Sequence, residues 1–297
     1  MKPFAIAGMQ LELSALYENV TRMGARLDIL MSVYPWVQMV VFSELAPFGP
    51  LTVNAQPLPN ETEALFQTWA KKHGIWLLPG SMFEKVGEEI FNTATVINPA
   101  GEIVGRYRKL FPFRPYEEGV SSGNDFLVFD VPDAGRFGVS ICYDLWFPET
   151  SRTLAAMGVE VILHPTLTGT IDRDVELSIV RATAAQNQCF VFGINGYGDC
   201  GNGRSIIVGP AGEVLYTGQS AAEMIPFEID FERVRRSREV GLRGLGQQLK
   251  SFRDRTIQFS VYSTPSSAWP YLCSLGPLAK PDRGSRAGLT NAKELEA

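Results

Sequence analysis

Apolar runs of strand length alternate with helical patterns from Phe4 to Asp230, and this alternation confines the chain to an α/β fold. Phe4-Ala-Ile-Ala-Gly-Met-Gln10 reads as a first strand. Val20, Met23, Leu27, Leu30 and Met31 follow at helical spacing, so a helix is expected over 17–33. A strand ending at Glu44, a proline-rich loop and a helix over 61–73 come next. Strands are expected over 75–83 and 91–97, and Asn98-Pro-Ala-Gly101 turns the second into a strand leading to Lys109. Past Cys142 the pattern gives a helix over 149–157, a strand over 159–164 and a helix over 172–187. Strands over 189–195, 204–208 and 224–230 complete it, with a second Pro-Ala-Gly turn at 210–212. The two turns predict corresponding hairpins in two halves of one core, with no clearer repeat beside them.

The 297 residues, 45% of them hydrophobic, can bury one large core, and 1–258 is expected to form it as a single domain. From 259 to 297 periodicity fades among Pro265, Pro270, Pro277 and Pro281. This segment is expected to be an arm packed on the surface or on a partner, passing into a disordered end. A net charge of −5 argues against nucleic acid or an anionic membrane as partner. The basic run Arg233 to Arg238 fits a solvated helix face. No apolar stretch is long enough to cross a membrane and no leader is evident, so a cytoplasmic location is expected. Cys142, Cys189, Cys200 and Cys273 are too widely spaced for a disulfide framework or a Cys-x-x-Cys site, and His73 and His164 show no ligand spacing. No metal or cofactor is called for.

Three polar residues stand at the ends of apolar strands. Val37-Gln-Met-Val-Val-Phe-Ser43 ends at Glu44, the strand from Gly101 to Arg108 runs into Lys109, and Phe137-Gly-Val-Ser-Ile141 ends at Cys142. Pro148-Glu149 then opens a helix in its first turn. Carboxyl ends of strands are where α/β sheets present reacting groups. A carboxylate can take a thiol proton and pass it to a leaving amine, while an ammonium and a backbone N–H such as that of Tyr143 can stabilise an oxyanion. Taken singly, the cysteine reads as core filler and the two charges as solvated strand ends. Taken together they are a complementary acid, cation and thiol.

On these residues the chain resembles the nitrilase superfamily of carbon–nitrogen hydrolases, whose three blocks centre on Glu, Lys and Cys in that order. Phe42-Ser-Glu44-Leu resembles the first block, Tyr107-Arg-Lys109-Leu-Phe the second and Ile141-Cys142-Tyr-Asp-Leu-Trp-Phe-Pro-Glu149 the third, within a similarity from Phe4 to about Arg255. The resemblance implies a four-layer α-β-β-α sandwich, a Glu44–Lys109–Cys142 triad, a thioester on Cys142, no cofactor, and a homodimer or higher homo-oligomer. Many members carry a second glutamate between lysine and cysteine. Glu117 and Glu118 both compete for that role, and Glu118-Gly119, similar to the segment in aliphatic amidases and formamidases, is the choice made here.

Cys142-Tyr-Asp144 is similar to the amidase and carbamoylase branches rather than to nitrilases, which usually continue Trp-Glu. Leu145-Trp-Phe147 is apolar where carbamoylases favour basic residues. A small-molecule amide is therefore the expected substrate, bound by Tyr143, Trp146 and Thr166, the last in the loop 164–170. Carbamoyl compounds and nitriles are the alternatives, and a silent binding or assembly subunit is the alternative of another class. Trp146 and Phe147 fit packing beneath the helix as well as pocket lining. Gly119-Val-Ser-Ser-Gly123 has the serine-hydrolase pattern without the strand–turn–helix context. Gly196-Tyr-Gly-Asp-Cys-Gly201 has a dinucleotide-binding pattern that opens onto a strand, so it reads as a flexible loop, and Cys189 and Cys200 as packing or loop thiols.

Overall fold

The computed structural model describes residues 3–280. The first strand, β1 (Phe4–Gln10), is buried at all seven positions, because a helix layer covers one face and a second sheet the other. Ile6 joins the core between the sheets, whereas Ala7 and Met9 face helices α1 (Val20–Val33) and α2 (Glu61–His73). The same alternation sends Met39 and Val41 of β2 (Met39–Phe42) inward and Val40 and Phe42 to the helices. Strands β3 (Trp76–Leu78), β4 (Met82–Val86), β5 (Glu89–Ile97) and β6 (Ile103–Arg108) extend this first sheet. β1, β2 and β3 run parallel, and β6 pairs antiparallel with β5.

The second sheet begins with β7 (Val128–Val131) and β8 (Gly135–Val139). Helix α3 (Pro148–Ala156), strand β9 (Val161–Thr166), helix α4 (Arg173–Asn187) and strand β10 (Phe190–Asn195) follow. β11 (Ile206–Val208) and β12 (Val214–Thr217) complete its order, β12–β11–β10–β9–β8–β7. β13 (Glu223–Ile229) returns to the first sheet and pairs antiparallel with β1, Phe4 opposite Ile229. Phe137, Val139, Val161, Leu163, Phe190 and Phe192 meet Phe4, Ile6 and Val41 between the sheets, and Ile162 and Val191 pack outward on Val180 and Ala184 of α4. The layers are α-β-β-α, as expected.

Both Pro-Ala-Gly turns close antiparallel hairpins at corresponding places, β5–β6 and β11–β12. The stretch 75–83, expected as one strand, is two, because Gly80 turns the chain at φ +80°. The backbone there passes so close to the first sheet that a Cβ on Gly80 would stand 1.9 Å from the carbonyl oxygen of Ser43, the residue before Glu44. The basic run lies on α5 (Glu232–Val240), but its face is not simply solvated. Arg235 pairs with Glu160 at 2.9 Å, and Arg238 donates to the carbonyls of Gly158, Val159, Asn187 and Gln188. Among the described residues after Arg253 there are only short helical segments, Ser260–Ser263, Ser266–Ala268 and Pro270–Cys273, with almost every side chain exposed. The expected disordered end falls on 281–297, outside the described residues. Among the described residues no helix is long and apolar enough to cross a membrane.

Gly80→Ala should lower stability by about 3 kcal/mol, since the methyl must displace backbone as well as hold a left-handed φ. Gly87→Ala, also at positive φ (+58°) but in open space, should lose only about 1 kcal/mol. Urea unfolding of the two variants compares them directly, and equal losses would refute the close-approach argument.

Candidate active site

Three strand ends converge where the two sheets meet. Glu44 follows β2 and Lys109 follows β6, both from the first sheet, while Cys142 follows β8 of the second. The sheets are tied at this point by the Glu44 N–H, which donates to the Thr166 carbonyl at 3.3 Å. Glu44 and Lys109 are only 3% and 1% exposed, so their charges must be met within the protein. The Lys109 ammonium donates to Glu44 Oε1 and to Glu117 Oε2, each at 2.8 Å. Asn92 Nδ2 donates to the same Glu44 oxygen at 2.8 Å and to Glu117 Oε1 at 3.4 Å. The Phe113 N–H closes the cluster on Glu117 Oε2.

It is Glu117, not the chosen Glu118, that the structure brings to the ammonium. In the turn after Phe113 the side chains of adjacent residues diverge. That of Glu117 turns inward to the ammonium, while Glu118 is exposed. Composition could not separate two neighbouring glutamates, and the register of this turn does.

Cys142 opens a short helical turn, 142–146, at φ +45°, a left-handed conformation unusual for a residue with a side chain. Asp144 holds it there. Its buried carboxylate accepts from Ile141 N (2.9 Å), Phe111 N (2.8 Å) and the Tyr107 hydroxyl (2.7 Å), joining the cysteine turn to the lysine loop. The thiol lies close enough to the Glu44 carboxylate and the Thr166 hydroxyl for both to act on its charge. Thr166 does not line the cavity as expected. It is fully buried at the end of β9, near the thiol, its hydroxyl donating to Glu176 Oε1 at 2.9 Å.

The electrostatics follow from burial. Burial and the nearby Glu44 charge push the Cys142 thiol well up, against the pull of Lys109, which keeps it neutral at rest. Burial raises Glu44 above the usual carboxylate range although Lys109 opposes it, making it a stronger base. Burial works to lower Lys109, but Glu44, Cys142 and Glu117 outweigh it and the ammonium stays charged. His164, fully buried with Nδ1 2.8 Å from Ser140 Oγ, is pushed down to about 4 by burial.

Cys142 sits between two lobes of a cavity. One, about 210 Å³, is walled by Glu44, Lys109, Glu117, Phe83 and Tyr116. The other, about 300 Å³, is walled by Tyr143, Trp146, Thr168, Glu176 and the loop thiol Cys200. Phe147 stacks on Phe111 at 3.7 Å between centroids and serves packing. Val120–Ser121 of the serine-hydrolase pattern is a short strand with no helix after it. The glycine-rich stretch 196–201 likewise leads to strand β11. Among the described residues no group of three or more His, Cys, Asp or Glu is arranged to hold a metal ion.

The family model for carbon-nitrogen hydrolases matches residues 5–239, most of the chain. The chain belongs to the carbon–nitrogen hydrolase family. Curated relatives include the 2-oxoglutaramate amidase of Bacillus subtilis, 30% identical over 211 residues and covering 68% of this chain and 81% of that one. The human omega-amidase NIT2 is 27% identical, covering 80% and 93%. Among solved structures, Nit3 of Saccharomyces cerevisiae, a member of the nitrilase superfamily, matches with TM-score 0.74 at 25% identity over 80% of this chain and 94% of its own. A carbon-nitrogen hydrolase from Helicobacter pylori matches with TM-score 0.75 at 24% identity, covering 88% and 98%, which supports the fold. This hydrolase is thus a cysteine-dependent enzyme with the superfamily's sandwich.

Asn92, Asp144 and Glu176 were not anticipated as site residues. The available signal was a polar group inside an otherwise apolar stretch, as in Phe91-Asn-Thr-Ala-Thr-Val96.

His164 gives the hydrolase a pH-dependent stability. Between the ordinary value of 6.5 and the folded value of about 4 the unfolded chain holds more of this proton, so stability falls as pH drops through that window. The full loss is about 3 kcal/mol. Asp144, which burial raises to about 6, tilts its own window the other way, because there the folded state holds more of its proton. His164→Gln should therefore lose less stability than the wild type between pH 6.5 and 4 by urea titration; parallel curves would remove His164 as the cause.

Proposed function

We propose that the enzyme hydrolyses carboxamides through a Glu44–Lys109–Cys142 triad and a thioester on Cys142. The observation that carries this reading is one buried ammonium, 2.8 Å from each of two glutamates, lining one cavity with the Cys142 thiol. The omega-amidase and 2-oxoglutaramate amidase names of relatives favour amides over nitriles.

In the first half-reaction Glu44 takes the thiol proton as sulfur attacks the amide carbonyl carbon. The developing oxyanion is met by the Lys109 ammonium and the Tyr143 N–H. The raised Glu44 pKa narrows its gap to the buried thiol, so the transfer is less uphill than to an ordinary carboxylate. Glu44 then protonates the leaving nitrogen as the carbon–nitrogen bond breaks, releasing ammonia or an amine. In the second half-reaction Glu44 takes a proton from water, whose oxygen attacks the thioester. Collapse expels the Cys142 thiolate, which recovers that proton, and the carboxylic acid leaves. Glu117 holds Lys109 and the Phe113 N–H in place and keeps the ammonium charged.

Cys142→Ala should abolish amide turnover with the fold retained by circular dichroism. Hydroxylamine added to the wild type with an amide should divert the acyl group to a hydroxamic acid. Nitrile turnover without amide hydrolysis would refute the substrate class, and full activity of Cys142→Ala would refute the mechanism.

Lys109→Ala should cost about 3 kcal/mol in transition-state stabilisation, roughly a hundredfold in kcat. Glu117→Gln should reduce kcat by about tenfold or more through loss of a charged partner to Lys109, while Glu118→Gln should stay near wild type. Steady-state ammonia release measures all three, and the reverse order of the two glutamine variants would return the role to Glu118.

A further inference from the structure

The two lobes at Cys142 differ in what they can bind. The smaller one holds the proton-transfer groups, so an amide lying across the thiol extends its acyl chain into the larger lobe. The ionisable groups lining that lobe, thiols and Tyr143 aside, are Asp172, Glu176 and Asp199, and its described lining residues include no lysine or arginine.

Neighbouring charges do not change the sign. Arg173 is 1% exposed, with Nη1 donating to Glu176 Oε2 at 2.6 Å and Nη2 to the Arg204 carbonyl at 2.7 Å. Glu176, which also accepts from Thr166, is neutralised by this pair. Arg204 pairs with Asp174 at 2.7 Å. Lys109 lies in the other lobe between two glutamates, and Lys280 lies over Tyr116 on that same side, 5.2 Å from the ring. The amino end of α4 presents a partial positive charge, which the acidic Asp174 and Glu176 of its first turn offset.

Asp172 and Asp199 remain. Asp172 accepts the Thr170 hydroxyl on Oδ1, and Asp199 accepts the Ala15 N–H on Oδ2 at 3.1 Å. These neutral donors orient the carboxylates without cancelling their charge. Phe113, Tyr143 and Trp146 supply aromatic walls to the same lobe, surfaces that also attract cations.

We propose that the larger lobe selects a cationic acyl group, so that the preferred substrates are carboxamides whose chain ends in a primary ammonium or a guanidinium. This rests on the amide-hydrolase reading above. An anionic chain end would meet two uncompensated carboxylates, whereas a neutral chain gains apolar contact alone.

The test compares three amides of matched length, 5-aminopentanamide, hexanamide and glutaramic acid, by kcat/KM for ammonia release. The cationic amide should exceed the neutral one by about tenfold, the scale of a partly screened charge interaction, and the anionic one by more. Added salt and the Asp172→Asn/Asp199→Asn double variant should shrink the preference. Hexanamide hydrolysed as fast as 5-aminopentanamide, a preference for glutaramic acid, or an unchanged preference in the double variant would overturn the proposal while leaving amide hydrolysis standing. If none of the three is hydrolysed, the amide reading fails, and thiol labelling decides the lobe on its own. Cationic 2-aminoethyl methanethiosulfonate should then modify Cys142 faster than its anionic 2-sulfonatoethyl counterpart. Peptide mass spectrometry separates Cys142 from Cys200, and the rate ratio should collapse in the double variant. Equal rates in the wild type would overturn the charge assignment.

Discussion

The buried ammonium of Lys109, held between the carboxylates of Glu44 and Glu117, is the interaction on which the rest of the site depends. Taking such a charge out of water costs several kcal/mol, and a single partner in imperfect geometry does not recover it. Here two carboxylates share the ammonium, and Asn92 and the Phe113 N–H donate to them as well. The cluster carries one negative charge more than it can neutralise, and that excess sits beside the thiol. This is why burial and Glu44 together keep Cys142 protonated until a substrate arrives.

The thiol is held by a different device. A left-handed residue with a side chain stores about 1–3 kcal/mol of strain and persists only where its surroundings over-determine it. Asp144 does this by accepting from three donors, two of them on the segment that carries Lys109. The cation and the nucleophile are thereby fixed to each other through one buried carboxylate, although they come from different sheets. The site exists only when the sandwich is closed, and the Glu44 N–H bond to Thr166 marks the seam.

Two unlike lobes meet at Cys142. The smaller lobe is walled by the paired charges of Glu44, Lys109 and Glu117, while the larger lobe sets Asp172 and Asp199 among aromatic walls. The first arrangement is what the proposed proton transfers require. The second depends on which residues the loops 164–172 and 196–203 carry, and these can vary without disturbing either sheet.

The sequence by itself determined the layers and singled out Glu44, Lys109 and Cys142 as the candidate site. Doubly buried strands read as apolar runs, so Phe4–Met9 and Met39–Phe42 announced the sheets, and a polar residue following a strand marked Glu44, Lys109 and Cys142. Tertiary structure alone decided between Glu117 and Glu118, because adjacent residues of one turn differ only in which way their side chains point. It also decided that Thr166 lies buried near the thiol, that Gly80 splits a strand against Ser43, and that Arg173 pairs with Glu176 while Asp172 and Asp199 pair with no cation among the described residues. Those outcomes turn on contacts between segments far apart in the chain, such as Asp199 with Ala15, which no local pattern encodes.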